Sequence, residues 1–333
     1  GVIPDPYWGS NSAALRPYEF VDWEYRTTFA APKIQPRERL HVVFEGIDTA
    51  AEIFLNGVSL GKACNMVIAH RFAIDAKQLQ ADGNELVVRI QSSANYARGF
   101  RVPPYSLATS PFTYEGLFIR RPMHTYGWDI APRLVGAGLW RKAYLEVVKP
   151  ERWTDLYLTT TSVTPKVSQL YFRWSFESDR KAITGYEAKL TLDCRGQHFE
   201  KRVDLYFTSG GFSFELPKAH LWFPRGSGEQ NLYTVTLDLI QNGEIVDTRT
   251  WRTGVRTVEL RRSEVLDGER KGEFVFLVNG RRIFIQGSNW VPFNAIHGEQ
   301  PERMRKALDL FVDIGCNMVR CWGGSVYEDD EFF

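Results

Sequence analysis

The feature that most constrains the fold of this sequence is a period-two alternation of apolar and polar residues, which recurs through roughly the first 260 positions. In the stretch AKLTLDC, Ala188, Leu190, Leu192 and Cys194 alternate with Lys189, Thr191 and Asp193. Residues two apart along an extended chain point to the same face, so this pattern indicates strands that bury one side. The chain is therefore predicted to be mostly β.

The first region contains a hairpin signal. In AEIFLNG, Ala51, Ile53 and Leu55 fall on one face of a strand, and Asn56–Gly57 follows at once. Both central positions of a tight hairpin turn favour positive φ, which Asn and Gly tolerate best. The stretches LHVVFEGI, NELVVRI and LWRKAYLEVV extend the β pattern to about Val148.

Between these strands lies a Pro- and Gly-rich stretch, Arg101 to Gly138. Loops of this length are uncommon in compact domains and tend to carry function. A functional loop is therefore expected here.

A second all-β region begins after Lys149–Pro150. In YTVTLDL, Tyr233, Val235, Leu237 and Leu239 share one face. Roughly 100 residues of such strands predict an immunoglobulin-like sandwich, which ends near Leu260.

In the third region the strict period-two alternation of apolar residues gives way to a mixture of strand and helix patterns. GEFVFLVNGRRIFIQGSNW predicts a hairpin and then a buried strand, and CNMVRCW predicts a second buried strand. Pro301 and Gly315 mark the start and the end of a helix between them. One apolar stripe runs along that helix: Met304, Leu308, Phe311 and Val312. Strand, helix, strand predicts a βαβ unit with a parallel pair and a right-handed crossover.

Composition removes several classes of function. A net charge of +1 provides no basic field for nucleic acid, and no apolar run is long enough to cross a membrane. The 4 Cys form no C-x-x-C pair and have no metal spacing with the 6 His, so neither a disulfide framework nor a metal site is expected, and Cys316 and Cys321 are predicted to be buried thiols. The 10 Trp and 14% aromatic content fit either sandwich cores or sugar binding.

Four stretches, in this order, resemble glycoside hydrolase family 2, and within it the β-mannosidases. They are FEGIDTAAEIFLNGVSLGKACNMVIAHRFAID, LWFPRGSGEQNLYTVTLDL with RTGVRTVEL, IFIQGSNWVPFNAI, and NMVRCWGGSVYEDDEFF. The resemblance implies a jelly-roll, galactose-binding-like domain over 1–149, an immunoglobulin-like β-sandwich over 150–260, and the first βαβ portion of a (β/α)8 TIM barrel over 261–333. A complete barrel typically needs about 250 residues, so the third region is expected to be a truncated start.

The stretch HTYGWDIAPRLVGAGLWRKAYLEV narrows the resemblance. In the mannosidases this loop carries Gly-Trp-Asp and lends its Asp to the sugar, which implies that Trp128 and Asp129 bind substrate. Taken without the resemblance, Asp129 instead caps a turn and Trp128 fills a gap. This sequence has Ile130–Ala131–Pro132 where the mannosidase pattern has Trp-Gly-Pro, which leaves the exact sugar open.

Residues at the carboxyl ends of barrel strands face the active site. Asn289 and Trp290 follow the first predicted barrel strand, and Arg320 and Trp322 end the second. Trp322 resembles the family's hydrophobic platform under the cleaved sugar, with core packing as the alternative. Arg320 either orients a catalytic carboxylate or pairs inside the barrel. His297 either edges the pocket or is an ordinary loop residue.

The acidic run Glu328–Asp329–Asp330–Glu331 invites interpretation as a catalytic pair. Acidic side chains favour the first turn of a helix because they interact with its dipole. This run is therefore predicted to be the solvated cap of a second helix.

The resemblance also implies a mechanism. Retaining glycosidases use two carboxylates about 5–5.5 Å apart, one as acid/base and one as nucleophile, and the family places them after the fourth and seventh barrel strands. Neither catalytic residue is therefore expected before Phe333, and these 333 residues alone are expected to be inactive. The intact protein is expected to hydrolyse terminal non-reducing β-mannosides, with no metal or organic cofactor.

Other activities stay open. The rivals are another family 2 exo-β-glycosidase (glucosaminidase, galactosidase or glucuronidase) and a non-catalytic carbohydrate-binding protein. A carbohydrate is the expected partner, with no nucleic acid and no membrane, and the oligomeric state is left open. The opening GVIPDPYWGSN looks like a loop whose preceding N-terminus is missing, and the family suggests a periplasmic or secreted protein.

Overall fold

The chain divides into two compact units in the computed structural model, which describes residues 3–102, 114–129, 131–263, 272–291, 296–298 and 300–333. One unit takes in the described parts of 1–148, 289–308 and 320–333, and the other those of 149–288 and 309–319. The predicted domain boundaries after 149 and 260 stay predictions.

Short antiparallel strands build the first unit. They are β1 (Trp23–Phe29), β2 (Arg39–Phe44), β3 (Ile47–Asp48), β4 (Ala51–Leu55), β5 (Val58–Ala63), β6 (His70–Ile74), β7 (Asn84–Ile90), β8 (Gly138–Leu139) and β9 (Ala143–Val148). One sheet has the order β1-β7-β4-β5, another β6-β2-β9, and β3 pairs with β8. Apolar side chains from both larger sheets form one buried core, as expected for two packed layers.

The predicted hairpin is confirmed. Ala51, Ile53 and Leu55 are buried on one face of β4 while the residues between them are half-exposed. Asn56 and Gly57 have φ of 50° and 82°, and β4 pairs with β5 across that turn.

The predicted loop contains only short helical segments in its described part. It holds 3-10 turns at Tyr114–Leu117 and Met123–Tyr126, while the two short α-helices of this unit, α1 (Asn11–Ala14) and α2 (Ser93–Arg98), lie before it. Two further 3-10 turns lie elsewhere in this unit, at Arg16–Phe20 and Ala76–Gln78. The described path from β7 to β8 thus contains only α2, short 3-10 turns and irregular backbone, and it leads to the candidate site.

The second unit contains the predicted sandwich. Its strands are β10 (Arg152–Val163), β11 (Val167–Glu177), β12 (Tyr186–Cys194), β13 (Gln197–Leu205), β14 (Ser209–Pro217), β15 (Tyr233–Gln241) and β16 (Glu244–Thr253). They form two antiparallel sheets, β10-β11-β14 and β13-β12-β15-β16. Both sheets contribute to one aromatic-rich core, so the immunoglobulin-like expectation is confirmed.

Three more strands follow: β17 (Val258–Arg262), β18 (Phe274–Val278) and β19 (Arg281–Ile283). They pair in that order. Asn279 and Gly280, with φ of 51° and 76°, turn the chain between β18 and β19, which confirms the hairpin predicted from the VNGR stretch.

The last elements are β20 (Gly287–Trp290), α3 (Pro301–Asp313) and β21 (Met318–Cys321). Backbone bonds join Asn317 to Gln286 and Trp322 to Trp290, so β20 and β21 advance in the same direction as a parallel pair. The helix ends in two bonds, from Gly315 N to Val312 O and from Cys316 N to Phe311 O. With Gly315 at φ +82°, this is a Schellman motif. The strand–helix–strand order is as predicted.

The prediction that both final strands are buried is wrong. Gly287, Ser288 and Asn289 are exposed, and Met318 is 37% exposed. Among the described residues, β20 and β21 form a sheet of only two strands, so no further strand covers their edges. For the same reason the predicted buried thiols of Cys316 and Cys321 are only half-buried.

Candidate functional site

Arg121 anchors the loop that carries Gly127–Trp128–Asp129. It is 7% exposed, and its guanidinium contacts Asp48 Oδ1 at 3.1 Å. It also donates to Thr125 Oγ1 at 3.1 Å and to the carbonyl oxygen of Gly136 at 3.0 Å. Burial raises the pKa of Asp48, while the Arg121 charge opposes that shift. Arg121 therefore joins both ends of the loop to strand β3.

Arg133 forms a second anchor. Its guanidinium lies between two carboxylates, at 3.0 Å from Glu19 Oε2 and 3.2 Å from Glu115 Oε1. Both glutamates are almost fully buried, at 4% and 2% exposure. Buried charges of this kind persist only when paired, so the N-terminal segment and the loop are held together here.

Tyr126 lies between the two arginines. Its ring centroid is 5.3 Å from the Arg121 guanidinium carbon and 5.2 Å from that of Arg133, within cation–π range. Tyr126 is 1% exposed, and burial raises the pKa of its hydroxyl. The residue directly before Gly127 thus contacts both anchoring arginines.

A tight turn presents the predicted sugar-binding residues. Gly127 has φ +110°, and Trp128 and Ala131 exchange backbone hydrogen bonds of 3.0 and 3.2 Å. Asp129 lies exposed in this turn and Trp128 is 41% exposed. Ile130, which departs from the mannosidase pattern, lies outside the described residues.

Trp128 meets Trp322 at a shared cavity. Their ring centroids are 6.0 Å apart with the planes inclined at 51°. Both line a cavity of about 440 Å³, with His124, Arg120 and Ser325 among the other lining residues. That volume lies within the range of about 300–1,000 Å³ that small-molecule sites occupy, and indole faces pack well against apolar ligand surfaces.

Two histidines pack in series behind Trp322: the ring of His124, which the sequence did not single out, contacts Trp322, and the ring of His297 contacts His124. His124 is 3% exposed, and its ring centroid is 5.7 Å from that of Trp322 and 5.1 Å from that of His297. Burial, followed by the nearby His124 and Arg121 charges, lowers the pKa of His297 to about 3. His297, half-buried and also in ring contact with Trp140, is packed rather than an ordinary loop residue.

The other predicted substrate residues do not line this cavity, and neither does Asp129. Arg320 donates to Asn289 Oδ1 at 3.2 Å, and both are exposed. Trp290 is 4% exposed, and its ring packs at a tilt of 49° against that of Phe332, with centroids 4.9 Å apart. None of these three is among the residues that line the cavity between Trp128 and Trp322.

The acidic run differs from its prediction at its first residue. Glu328 accepts a 2.6 Å hydrogen bond from Nε1 of Trp290, so it is engaged rather than solvated. Asp329 accepts from the backbone of Phe332 through its side chain and its carbonyl, as an N-cap residue would. The described residues 328–333 form a turn and no helix.

The described ranges offer neither a membrane span nor a metal site. No helix there is long and apolar enough to cross a bilayer. No three His, Cys, Asp or Glu side chains in the same ranges come together as metal ligands would.

Family comparisons match most of the chain. Residues 1–141 match the family described as "Glycosyl hydrolase 2 galactose-binding domain-like". Residues 154–256 match "Glycosyl hydrolases family 2".

Individual proteins are similar over the full chain. Beta-mannosidase B of Thermothelomyces thermophilus is 32% identical over 341 residues, covering 100% of this chain and 39% of that protein. The crystal structure of a beta-D-mannosidase from Dictyoglomus thermophilum superposes with a TM-score of 0.87 at 32% identity, covering 100% of this chain and 41% of that one. An exo-chitosanase from Amycolatopsis orientalis, at 18% identity and TM-score 0.69 over 99% of this chain and 36% of its own, shares the fold. The chain thus spans about two fifths of the length of the relatives it matches.

Proposed function

The chain belongs to glycosyl hydrolase family 2, and we propose on that premise that it forms the sugar-holding part of a β-mannosidase. In the whole protein, terminal non-reducing β-mannosides are hydrolysed by a retaining double displacement, in which two carboxylates act as acid/base and nucleophile. This chain contributes a wall of the pocket and not the two carboxylates. The similarity to two β-mannosidases over the full chain supports the choice of sugar.

The observation that carries the proposal is the meeting of Trp128 and Trp322. One comes from the loop and the other follows β21, yet their rings lie 6.0 Å apart at one cavity. A pyranose has an apolar face that suits an aromatic platform and hydroxyl groups that need polar partners. Asp129, exposed beside Trp128, supplies an acceptor-only carboxylate that would accept hydrogen bonds from sugar hydroxyls.

Asn289, Trp290 and Arg320 have a less direct role in this proposal. They lie at the ends of β20 and β21, and the Arg320–Asn289 hydrogen bond would hold their polar groups at one strand edge. We assign them to an outer part of the sugar site, next to the Trp322 platform.

The same proposal covers the architecture. The parallel strand–helix–strand segment from β20 to β21 is the repeating unit of a (β/α)8 barrel, and we infer that it is the beginning of one. The proposed division is a jelly roll over 1–149, a sandwich over 150–260 and the barrel start over 261–333.

A second candidate is sugar binding without hydrolysis by these residues. None of the described residues that line the Trp128–Trp322 cavity is Asp or Glu, and a retaining reaction needs a carboxylate pair beside the sugar. Other family 2 specificities, for glucosaminides, galactosides or glucuronides, remain rivals because Ile130–Ala131 departs from the mannosidase pattern.

Calorimetric titration with methyl β-glycosides tests the proposal. We expect the methyl β-mannoside to bind more tightly than the gluco, galacto, glucosaminide and glucuronide analogues. Trp322→Ala should weaken binding about two- to tenfold, as loss of an aromatic contact typically does. Asp129→Asn should weaken it by a similar factor, since a carboxylate accepts stronger hydrogen bonds than an amide.

Matched controls come from the sandwich. Tyr206 is 72% exposed and Asp204 is exposed beside it, so Tyr206→Ala and Asp204→Asn should bind like the unaltered chain. If another glycoside binds more tightly than the mannoside, that sugar becomes the proposed substrate. Absence of saturable binding to every glycoside would contradict a sugar site built from these residues.

A further inference from the structure

His124 occupies a central position between the loop and the end of β21. It lies in the Met123–Tyr126 turn, is 3% exposed, and its Nδ1 is 3.0 Å from the carbonyl oxygen of Gly324. Its ring also contacts Trp322 and His297. One imidazole therefore contacts both the backbone and the indole of the segment that follows β21.

The tautomer of this imidazole follows from its partner. A carbonyl oxygen only accepts, so Nδ1 must carry the proton that it donates to Gly324. Burial lowers the pKa of His124. The Gly324 hydrogen bond opposes this shift, and the Arg121 charge adds to it. The ring is therefore neutral at neutral pH, with a lone pair on Nε2.

Gly324 links this hydrogen bond to the position of Trp322. A Cβ atom added at Gly324 would overlap the six-membered ring of the Trp322 indole, so that indole lies directly against the Gly324 backbone. Holding the Gly324 carbonyl thus fixes the surface on which Trp322 rests, while the imidazole ring bounds the indole from another direction.

Packing alone does not account for a histidine here. Its Nε2 is buried and has no hydrogen-bond partner among the described residues. Leaving a buried acceptor unpaired is unfavourable, and an apolar ring of similar size would avoid that cost. The hydrogen bond from Nδ1 to the Gly324 carbonyl must therefore compensate for the unpaired Nε2.

We propose that His124 is a positioning residue for Trp322, holding the Gly324 carbonyl through Nδ1–H and bounding the indole with its ring. It sets the angle between Trp322 and Trp128 and so the shape of the platform on which a sugar would rest. This inference rests on the proposed sugar site for its role, although the geometry is independent of any ligand.

The first test uses the unaltered chain. Long-range ¹H–¹⁵N NMR correlations distinguish the two neutral imidazole tautomers, and His124→Asn identifies the His124 signals. We expect the Nδ1–H tautomer between pH 7 and 8. An Nε2–H tautomer or a charged ring would overturn the proposal. This measurement does not depend on whether His124→Phe folds.

The second test separates the hydrogen bond from the ring. Incorporated 5-fluorotryptophan gives each of the 10 Trp a ¹⁹F resonance, and loss of one signal in Trp322→Phe assigns it. Asn carries an amide N–H near the position of imidazole Nδ1, so His124→Asn should leave the Trp322 resonance closer to its original position than His124→Phe does. His198→Phe, at an exposed histidine of the sandwich, should leave it unmoved.

An unshifted Trp322 resonance in folded His124→Phe would overturn the proposal, as would equal shifts in the Asn and Phe variants. Retained dispersion of the other Trp resonances checks that each variant is folded. The ligand arm is separate: His124→Phe should bind methyl β-mannoside about three- to tenfold more weakly, and His124→Asn should recover part of that loss. If no glycoside binds any variant, the proposed sugar site fails while the tautomer and ¹⁹F results still decide the role of His124.

Discussion

At the residue scale, the loop that carries Trp128 depends on charges that are almost fully removed from water. Arg121 bonds to Asp48, Thr125 and Gly136, and its side chain is 2% exposed. The attraction in such a pair is largely offset by the cost of desolvating both charges. Removal of one partner leaves the other charged and buried, and that asymmetry makes the pair a sensitive test of the loop anchor.

We predict that Arg121→Met lowers the free energy of unfolding of the first unit by about 3–5 kcal/mol, the usual cost of breaking a buried ion pair. Urea unfolding followed by circular dichroism measures it. Arg26→Met is the matched control, since Arg26 pairs with Glu24 and Glu85 at 53% side-chain exposure and should cost at most about 1 kcal/mol. Equal losses in the two variants would show that burial of the Arg121–Asp48 pair does not increase the cost of breaking it.

The two packed histidines predict a pH dependence. The pKa of His297 is lowered to about 3 and that of His124 is also lowered, whereas in the unfolded chain both are near 6.5. The unfolded state therefore binds more protons below pH 6.5, so stability is complete above that pH and is lost as pH falls towards 3.

We expect the free energy of unfolding to fall between pH 6.5 and 5 by at most about 1.4 kcal/mol per pH unit for each histidine. Urea midpoints across that window measure the slope. His297→Phe should reduce the slope because one of the two groups no longer titrates. A slope that His297→Phe leaves unchanged would show that His297 does not lose its proton on folding.

At the element scale, the sandwich was predictable because the sequence of each strand shows by itself which side chains face the core. The alternation in β12 and β15 fixes which side chains face inwards, and Leu190 and Leu237 are indeed fully buried opposite each other. A register slip of one residue would expose every such side chain, so the pattern strongly specifies the pairing. The same alternation, together with Asn56–Gly57, predicted the β4–β5 hairpin.

We predict that Leu190→Ala destabilises the sandwich by about 2–5 kcal/mol, from lost burial and the cavity left behind. Lys189→Ala, one position away and facing outwards, should change stability by no more than about 0.5 kcal/mol. Guanidinium unfolding of the two variants compares them directly. Similar losses would mean that the inward face of β12 is not where the core derives its stability.

The exposed final strands and the site network were less predictable. Short apolar runs such as MVRC favour burial locally, but burial depends on neighbouring strands that a local pattern does not reveal. The contacts of Arg133 with Glu19 and of His124 with Gly324 join residues 114 and 200 positions apart. Such pairings have no periodicity, so no local signal pointed to them.

At the scale of the whole molecule, the proposed division of labour sets a limit on what this chain does by itself. It spans about two fifths of its mannosidase relatives. The described lining of the Trp128–Trp322 cavity offers indole faces and basic side chains but no carboxylate. Binding and bond cleavage would then require different parts of a longer protein, because binding energy lowers the barrier only when catalytic groups act on the same sugar.

We therefore expect the 333-residue chain to release no nitrophenol from p-nitrophenyl β-mannoside, because a retaining hydrolysis needs two carboxylates at the scissile bond. A chimera that joins this chain to the part of the Dictyoglomus mannosidase it does not cover, about three fifths of that protein, should release it. The same chimera with Trp322→Ala should be slower, while Tyr206→Ala should match the unaltered chimera. A folded chimera, verified by circular dichroism, that cleaves another aryl glycoside faster than the mannoside would reassign the substrate, and hydrolysis by the 333 residues alone would contradict the division of labour.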